Sequence, residues 1–289
     1  MLTTRTGEFA IGLRRGWGDW QRNTDGWVAW CKANAIGVVD VGPDVDACRK
    51  VSAAGLQVGS ADLSGWKDLI SADKAKRDDA VAKTAAYIND AAATGVKNFF
   101  CVMLPEKPEL KRSENFGYMV AGFGALAPTL EKHGACVVIE GWPGPGALCC
   151  TPEGYRAFFK EVPSPAMAVN YDPSHLVRMG IDHVRFLGEF ASRVKHVHGK
   201  DTEILSEKIY ELGTELPATF AANVGFGGTT WRYTIPGHGV VRWHRIFWML
   251  KDAGYQGAVC IELEDAHFNG SEDGEKRGIL AGAHFLEGC

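Results

Sequence analysis

ACVVIEGWPGPGALCCTPEGYRAFFKEVPSPAMAVNYD, residues 135–172, reads as a complete strand–helix–strand unit. Its two ends, ACVVIE and AMAVNYD, are apolar at successive positions. A strand needs that pattern only when both of its faces are covered, as in a parallel sheet flanked by helices. Between them, Thr151-Pro152-Glu153 supplies a cap, a proline for the first turn and an early acid, so a helix is expected over Thr151–Val162. Working outward, the same alternation recurs. Further strands are expected at Ala10–Leu13, Ile36–Val41, Gln57–Leu63, Val96–Leu104, Val194–His198 and Ala258–Leu263, making eight with Cys136–Glu140 and Met167–Tyr171. Helical patterns fill Ser71–Thr94, Asn115–His133, Ile181–Ser192 and Trp243–Ala253, with Ser71 as an expected cap. Gly55, Gly95, Gly134 and Gly254 each fall where a helix must stop before the next strand. Eight βα repeats with no break in composition predict an α/β fold: one closed (β/α)8 barrel over residues 1–289.

One connection departs from the repeat. From Asp201 to Gly239 runs a Gly-, Thr- and aromatic-rich stretch containing NVGFGGTTWRYTIPGHG. It follows the C-terminal end of a strand, so it is expected on the catalytic face of a barrel, as a lid or substrate-facing loop. The net charge of −4 and the lack of a Lys/Arg run exclude a nucleic-acid partner. No apolar run approaches a membrane span, and the first residues lack a signal-peptide pattern. The eight cysteines form no C-x-x-C pair and are read as reduced, consistent with a cytoplasmic location. The partners compatible with this composition include a second copy of the chain in a homo-oligomer.

Four successive strand ends carry a hard or borderline metal ligand. VVIE ends at Glu140, VNYDPSH contains Asp172, VKHVHGKD contains His198, and VCIELED contains Glu262. The C-terminal ends of parallel barrel strands converge on one mouth, so these four side chains are expected to face each other. Three carboxylates and an imidazole suit one divalent cation, Mn²⁺ first, with Co²⁺, Mg²⁺ or Zn²⁺ as alternatives. Without a cation the carboxylates would repel one another. Alternation puts His196, His198 and Lys200 on one face of their strand. His198 is nearer the mouth, and His196 is expected to be a hydrogen-bonded histidine of the barrel core. Glu262 is preferred over Glu264 because it adjoins the apolar run.

These residues carry a resemblance. VVIE, NYDPSH, HVHGKD and PGHG, followed by W-x-x-I-x-x-x-L-x-x-A-G-Y-x-G-x-x-x-I-E-x-E-D, resemble the sugar phosphate isomerase/epimerase family. This is the xylose isomerase-like barrel group that includes ketose 3-epimerases, inosose dehydratases, hydroxypyruvate isomerase and endonuclease IV. The similarity runs from the fifth strand to the C-terminus, and FAIGLRRGWGDWQ near the N-terminus shares its character. The resemblance implies metal ligation by Glu140, Asp172, His198 and Glu262, and substrate contact by His175 and Arg232. It also marks a departure: the substrate-binding glutamate that epimerases carry shortly after the first metal glutamate is absent from EGWPGPGALCC.

The expected chemistry is proton abstraction next to a carbonyl through an enediolate, with Glu140 and Glu262 as the acid–base pair. Returning the proton to the opposite face epimerises, and returning it to the neighbouring carbon isomerises. Losing a β-substituent instead makes a dehydratase or lyase on a keto-sugar, keto-inositol or 3-keto-glycoside. A non-catalytic sugar-binding or accessory subunit is the alternative of another class. The partner expected is a small carbohydrate, with Trp142 and Lys200 also expected against it and Trp231 as a further stacking candidate. Trp17, Trp20, Trp27 and Trp30 are read as packing residues. Arg14 and Arg15 are read as a solvated loop pair, with anion binding at the mouth as the alternative.

Overall fold

A computed structural model describes residues 3–289. The first third contains β1 (Ile11–Arg14), α1 (Asp19–Arg22), α2 (Thr24–Ala33), β2 (Val38–Val41), α3 (Val45–Ala53), β3 (Gln57–Asp62) and α4 (Lys74–Ala92). The middle contains β4 (Asn98–Val102), α5 (Arg112–Lys132), β5 (Cys136–Glu140), α6 (Pro152–Glu161), β6 (Met167–Tyr171), α7 (Pro173–Arg178), α8 (His183–Phe190) and β7 (Val194–Gly199). The last part contains β8 (Asp201–Ile204), α9 (Ser206–Leu212), β9 (Trp231–Thr234), α10 (Trp243–Asp252), β10 (Val259–Ile261) and α11 (Glu272–Glu287).

Eight strands close into a barrel in the order β1-β10-β7-β6-β5-β4-β3-β2, and every pairing is parallel. All eight fall within or overlap the runs read as strands in the sequence. Their two-faced apolarity has two destinations. Phe99, Val137, Ile139, Val169 and Val197 face outward and pack against Phe123, Tyr155, Phe158 and Phe247 of the helices. Phe100, Cys136, Val138, Ala168, Val38 and Cys260 face inward and fill the barrel. Each large side chain buried this way contributes about 1.5–3 kcal/mol relative to exposure. The interior is tight enough to need a glycine: a Cβ on Gly12 would lie 2.5 Å from Cys260 Sγ and 2.8 Å from the Val38 carbonyl oxygen.

Local chemistry sets the helix starts. Thr151 caps α6 as expected, accepting from the Gly154 amide. Ser71 does not cap α4. The carboxylate of Asp73 does, accepting from the amides of Ala75 and Lys76, while Ser71 binds Glu106. An acid there serves two amides and interacts favourably with the positive end of the helix. Three of the four tryptophans pack as expected. Trp27 is buried, and Trp20 and Trp30 meet edge-to-face at 5.1 Å. Trp17 differs, being 84% exposed.

The stretch from Asp201 onward is not a plain loop. β8 and β9 pair antiparallel, with Thr202 opposite Tyr233 and Glu203 opposite Arg232. Both strands lie in a Gly- and Thr-rich stretch outside the repeating strand–helix units, so the repeat that marked the barrel strands does not reach them. Among the described residues, all eight cysteines are free thiols, and no helix is long and apolar enough to cross a membrane.

Candidate metal centre

Each expected ligand sits at or just past the C-terminal end of a barrel strand. Glu140 is the last residue of β5, and His198 lies inside β7. Asp172 follows β6 and caps α7, where its Oδ1 accepts from the Ser174 amide and hydroxyl at 2.9 and 2.6 Å. β10 ends at Ile261, so Glu262 stands one residue beyond it. These side chains meet. His198 Nδ1 lies 2.6 Å from Glu140 Oε2 and 3.4 Å from Glu262 Oε2.

A second histidine joins the group. His175 Nε2 lies 3.2 Å from Glu140 Oε1 and 3.3 Å from Asp172 Oδ2. Glu140, Asp172, His175 and Glu262 can each offer an atom within 4.8 Å of all the others, whereas His198 forms a second such group with Asp40 and His196. The two groups are contiguous through the 2.6 Å contact between His198 and Glu140. Two histidines therefore flank the carboxylates, where sequence reading assigned the nitrogen ligand to His198 alone.

The other expected residues separate. Lys200 is 2% exposed and stands among Glu262 at 2.5 Å, Glu264 at 3.0 Å and Asp172 at 3.2 Å. Arg232 pairs with Glu203 and Asp265 and reaches none of the expected ligands directly. Trp142 lies against Gly144, where an added Cβ would overlap its ring. Trp231 stacks on Arg178, whose guanidinium is 4.3 Å from a ring centroid. Alternation along β9 explains this sorting: Arg232 and Thr234 both bind Asp265 on one side, while Trp231 and Tyr233 occupy the other.

Several residues of the site were not read from the sequence, among them Asn170, whose Nδ2 donates to Glu140 Oε2. The Tyr233 hydroxyl lies 2.6 Å from His175 Nδ1 and accepts from Arg178 at 2.8 Å. Asp40 is buried at the end of β2, 2.9 Å from His196 Nε2, and only the acid in VVDV hinted at it. Asp62, at the end of β3, pairs with Arg14 at 2.9 Å. Arg14 is not solvated: it is largely buried, and its Nε is 3.2 Å from Glu262. Arg15 instead donates to the carbonyls of Gln21 and Arg22.

The electrostatics follow from this interlocking. Burial disfavours the Lys200 ammonium, but Asp172, Glu262, Glu264 and Glu140 surround it and hold it protonated well above the usual lysine range. Burial opposes the charge on His198, and Glu262 and Glu140 outweigh that opposition. Burial would raise Glu262, yet Lys200, His198 and Arg14 hold it well below the usual carboxylate range. Glu140 is also lowered: burial and Glu262 push it up, but His198 and His175 prevail. Asp40 is held low by His196 and His198 against its burial.

Groups depressed in the fold contribute stability above their unfolded value, near pH 4, and lose it as pH falls. The metal-free protein is therefore expected to lose thermal stability progressively below about pH 4 as Asp40, Glu140 and Glu262 take up protons. A transition temperature that stays level from about pH 5 to about pH 2 would contradict this.

The donor set fits a divalent cation. Asp172 Oδ2 is buried, with Lys200 Nζ at 3.2 Å and His175 Nε2 at 3.3 Å, and it shares one space with Glu140, Glu262 and His175. Carboxylate oxygens and imidazole nitrogens suit Mn²⁺, Mg²⁺, Co²⁺ or Zn²⁺, and among the described residues neither candidate metal-binding group contains a thiolate.

Known proteins resemble this chain. It is 28% identical over 160 residues to an inosose dehydratase from Geobacillus thermodenitrificans, covering 55% of this chain and 50% of that protein. The chain thus matches about half the length of that relative. The D-psicose 3-epimerase structure superposes with a TM-score of 0.71 at 15% identity, covering 96% of this chain and 99% of the other. A 3-keto-D-glucoside 4-epimerase from E. coli gives a TM-score of 0.70 at 15% identity, covering 97% and 100%. At such identities the structures establish the shared fold. Residues 38–289, beginning at the first residue of β2 and running through the barrel to the last residue, match the xylose isomerase-like TIM barrel family, and the chain belongs to it.

Proposed function

We propose that this chain is a divalent-metal-dependent sugar isomerase or epimerase that removes a proton next to a carbonyl. The observation that carries this reading is that one imidazole nitrogen, His198 Nδ1, touches both Glu140 and Glu262. Two ionised carboxylates thereby face a common centre from strands β5 and β10, one for each face of a substrate. A divalent cation held by Glu140, Asp172, His198 and Glu262 would supply Lewis-acid stabilisation of the charge developing on adjacent substrate oxygens.

The remaining steps belong to the chain. Glu140 or Glu262 accepts the proton, and the other returns one to the opposite face or to the neighbouring carbon. Lys200 and His175 orient and hydrogen-bond substrate oxygens. The β8–β9 hairpin brings Tyr233 against His175, which supports a substrate-facing role for residues 201–239.

A second reading, dehydration of a keto-inositol or related keto-sugar, is favoured by a specific feature. The Lys200 ammonium lies 2.5 Å from Glu262, so a proton donor for a departing hydroxide stands beside a base. No acid occurs between Gly141 and Cys150, so the extra epimerase glutamate has no counterpart there. The inosose dehydratase relative agrees with this reading.

A panel of ketoses and keto-cyclitols followed by NMR in D₂O tests both. Isomerisation or epimerisation retains every heavy atom and incorporates solvent deuterium, whereas dehydration releases water. EDTA is expected to abolish turnover, with Mn²⁺, Co²⁺ or Mg²⁺ restoring it. His198→Ala and His175→Ala, assayed for bound metal, identify the nitrogen ligand. A His198→Ala protein with full metal content would assign it to His175.

A further inference from the structure

Beneath the candidate metal centre lies a buried polar layer that the proposed reaction does not use. Cys260 of β10 is level with His198 of β7 and with Gly12 of β1, and Asp40 of β2 is level with Arg14 of β1. His198 spans the two layers. Its Nδ1 points up at Glu140 and Glu262, and its Nε2 points down, buried, with no hydrogen-bond partner. The acceptor facing Nε2 is Asp40 Oδ2, at 3.6 Å.

Asp40 is itself tightly held. His196 Nε2 lies 2.9 Å from the same Oδ2. On the other side the backbone of β3 presses close: a Cβ on Gly59 would stand 2.7 Å from Asp40 Oδ1 and 3.1 Å from His196 Cε1. The carboxylate therefore has little freedom to turn away. Asn170 adds a constraint from above, since its Nδ2 donates to Glu140 Oε2 and lies 3.1 Å from His198 Nδ1.

We infer that Asp40, anchored by His196, is a positioning residue that fixes His198 in its Nε2–H form and presents the bare Nδ1 to the cation. This rests on the metal-centre reading above. An imidazole that ligates through one nitrogen carries its proton on the other, and the group accepting that proton sets both the form and the ring orientation. With a cation held at Nδ1, the ring proton would sit on Nε2, on Asp40's side. Asp40 Oδ2, 3.6 Å away, would then accept that proton, since Nε2 has no other hydrogen-bond partner among the described residues.

The test uses the full chain loaded with Zn²⁺, which is diamagnetic. Two-bond ¹H–¹⁵N spectra of the loaded wild type are expected to show His198 protonated at Nε2 only. Asp40→Asn is expected to weaken Zn²⁺ and Mn²⁺ binding by about 10- to 100-fold in calorimetry, with an unchanged circular dichroism spectrum. A folded Asp40→Asn protein with wild-type affinity overturns the inference, as does an Nδ1-protonated His198 in the loaded wild type. If Asp40→Asn fails to fold, the wild-type spectrum decides alone. A stoichiometry of two Zn²⁺ per chain, with one lost in His196→Ala, overturns it too, because Asp40 is then a ligand. A wild type that binds neither ion overturns the metal-centre reading itself, and the positioning role with it.

Discussion

Glu140→Gln and Glu262→Gln are each expected to lower turnover by about 10²- to 10⁴-fold, the span of a general acid–base contribution. The amide keeps an oxygen that coordinates weakly but cannot accept a proton at neutral pH. The two variants are not equivalent in the fold. Glu140 Oε2 accepts from Asn170 and contacts His198, and its Oε1 contacts His175, so the amide of Glu140→Gln sets its N–H toward one of these two sides. Glu262 is flanked by Arg14, Lys200 and His198, and its replacement removes a negative charge among three cations. Metal content is measured alongside turnover to separate lost chemistry from lost cation. The decisive measurement is exchange of solvent deuterium into the carbon next to the carbonyl. If both variants stay metal-loaded and exchange at the wild-type rate, neither glutamate is the base, and His175 or Lys200 takes its place.

Lys200→Met is expected to destabilise the metal-free protein by about 3 kcal/mol, the lower end for removing one partner of a buried ion pair. The lower end applies because Glu262 and Glu264 keep some contact with solvent. Methionine fills similar length, so the loss reports charge rather than volume. Three carboxylates, Asp172, Glu262 and Glu264, then face each other without the ammonium. A divalent cation relieves that repulsion, so added Mn²⁺ is expected to raise the unfolding temperature of Lys200→Met by more than it raises the wild type. Thermal unfolding with and without Mn²⁺ measures both effects. Equal unfolding temperatures for the two metal-free proteins would show that the ammonium is dispensable to the cluster.

What the residues alone determined was the barrel and the four strand ends that carry Glu140, Asp172, His198 and Glu262. Both follow from local rules: runs such as ACVVIE, apolar on both faces, need cover on both sides, and parallel strands bring their C-terminal ends to one mouth. The core position of His196 followed too, because alternation along β7 is a one-strand property. Tertiary structure alone decided which neighbours the side chains found. Asp40 meets His196 across more than a hundred residues of chain, and Tyr233 meets His175 only because β9 turns that side of its strand toward the mouth. Arg14 reads as a loop cation until barrel closure sets β1 beside β10 and brings it to Glu262. Arg232 and Lys200, alike as cations in the sequence, part company for the same reason. One faces Asp265 outside the cluster and the other is enclosed by carboxylates, and that choice lies in strand pairing, which no single stretch of sequence encodes.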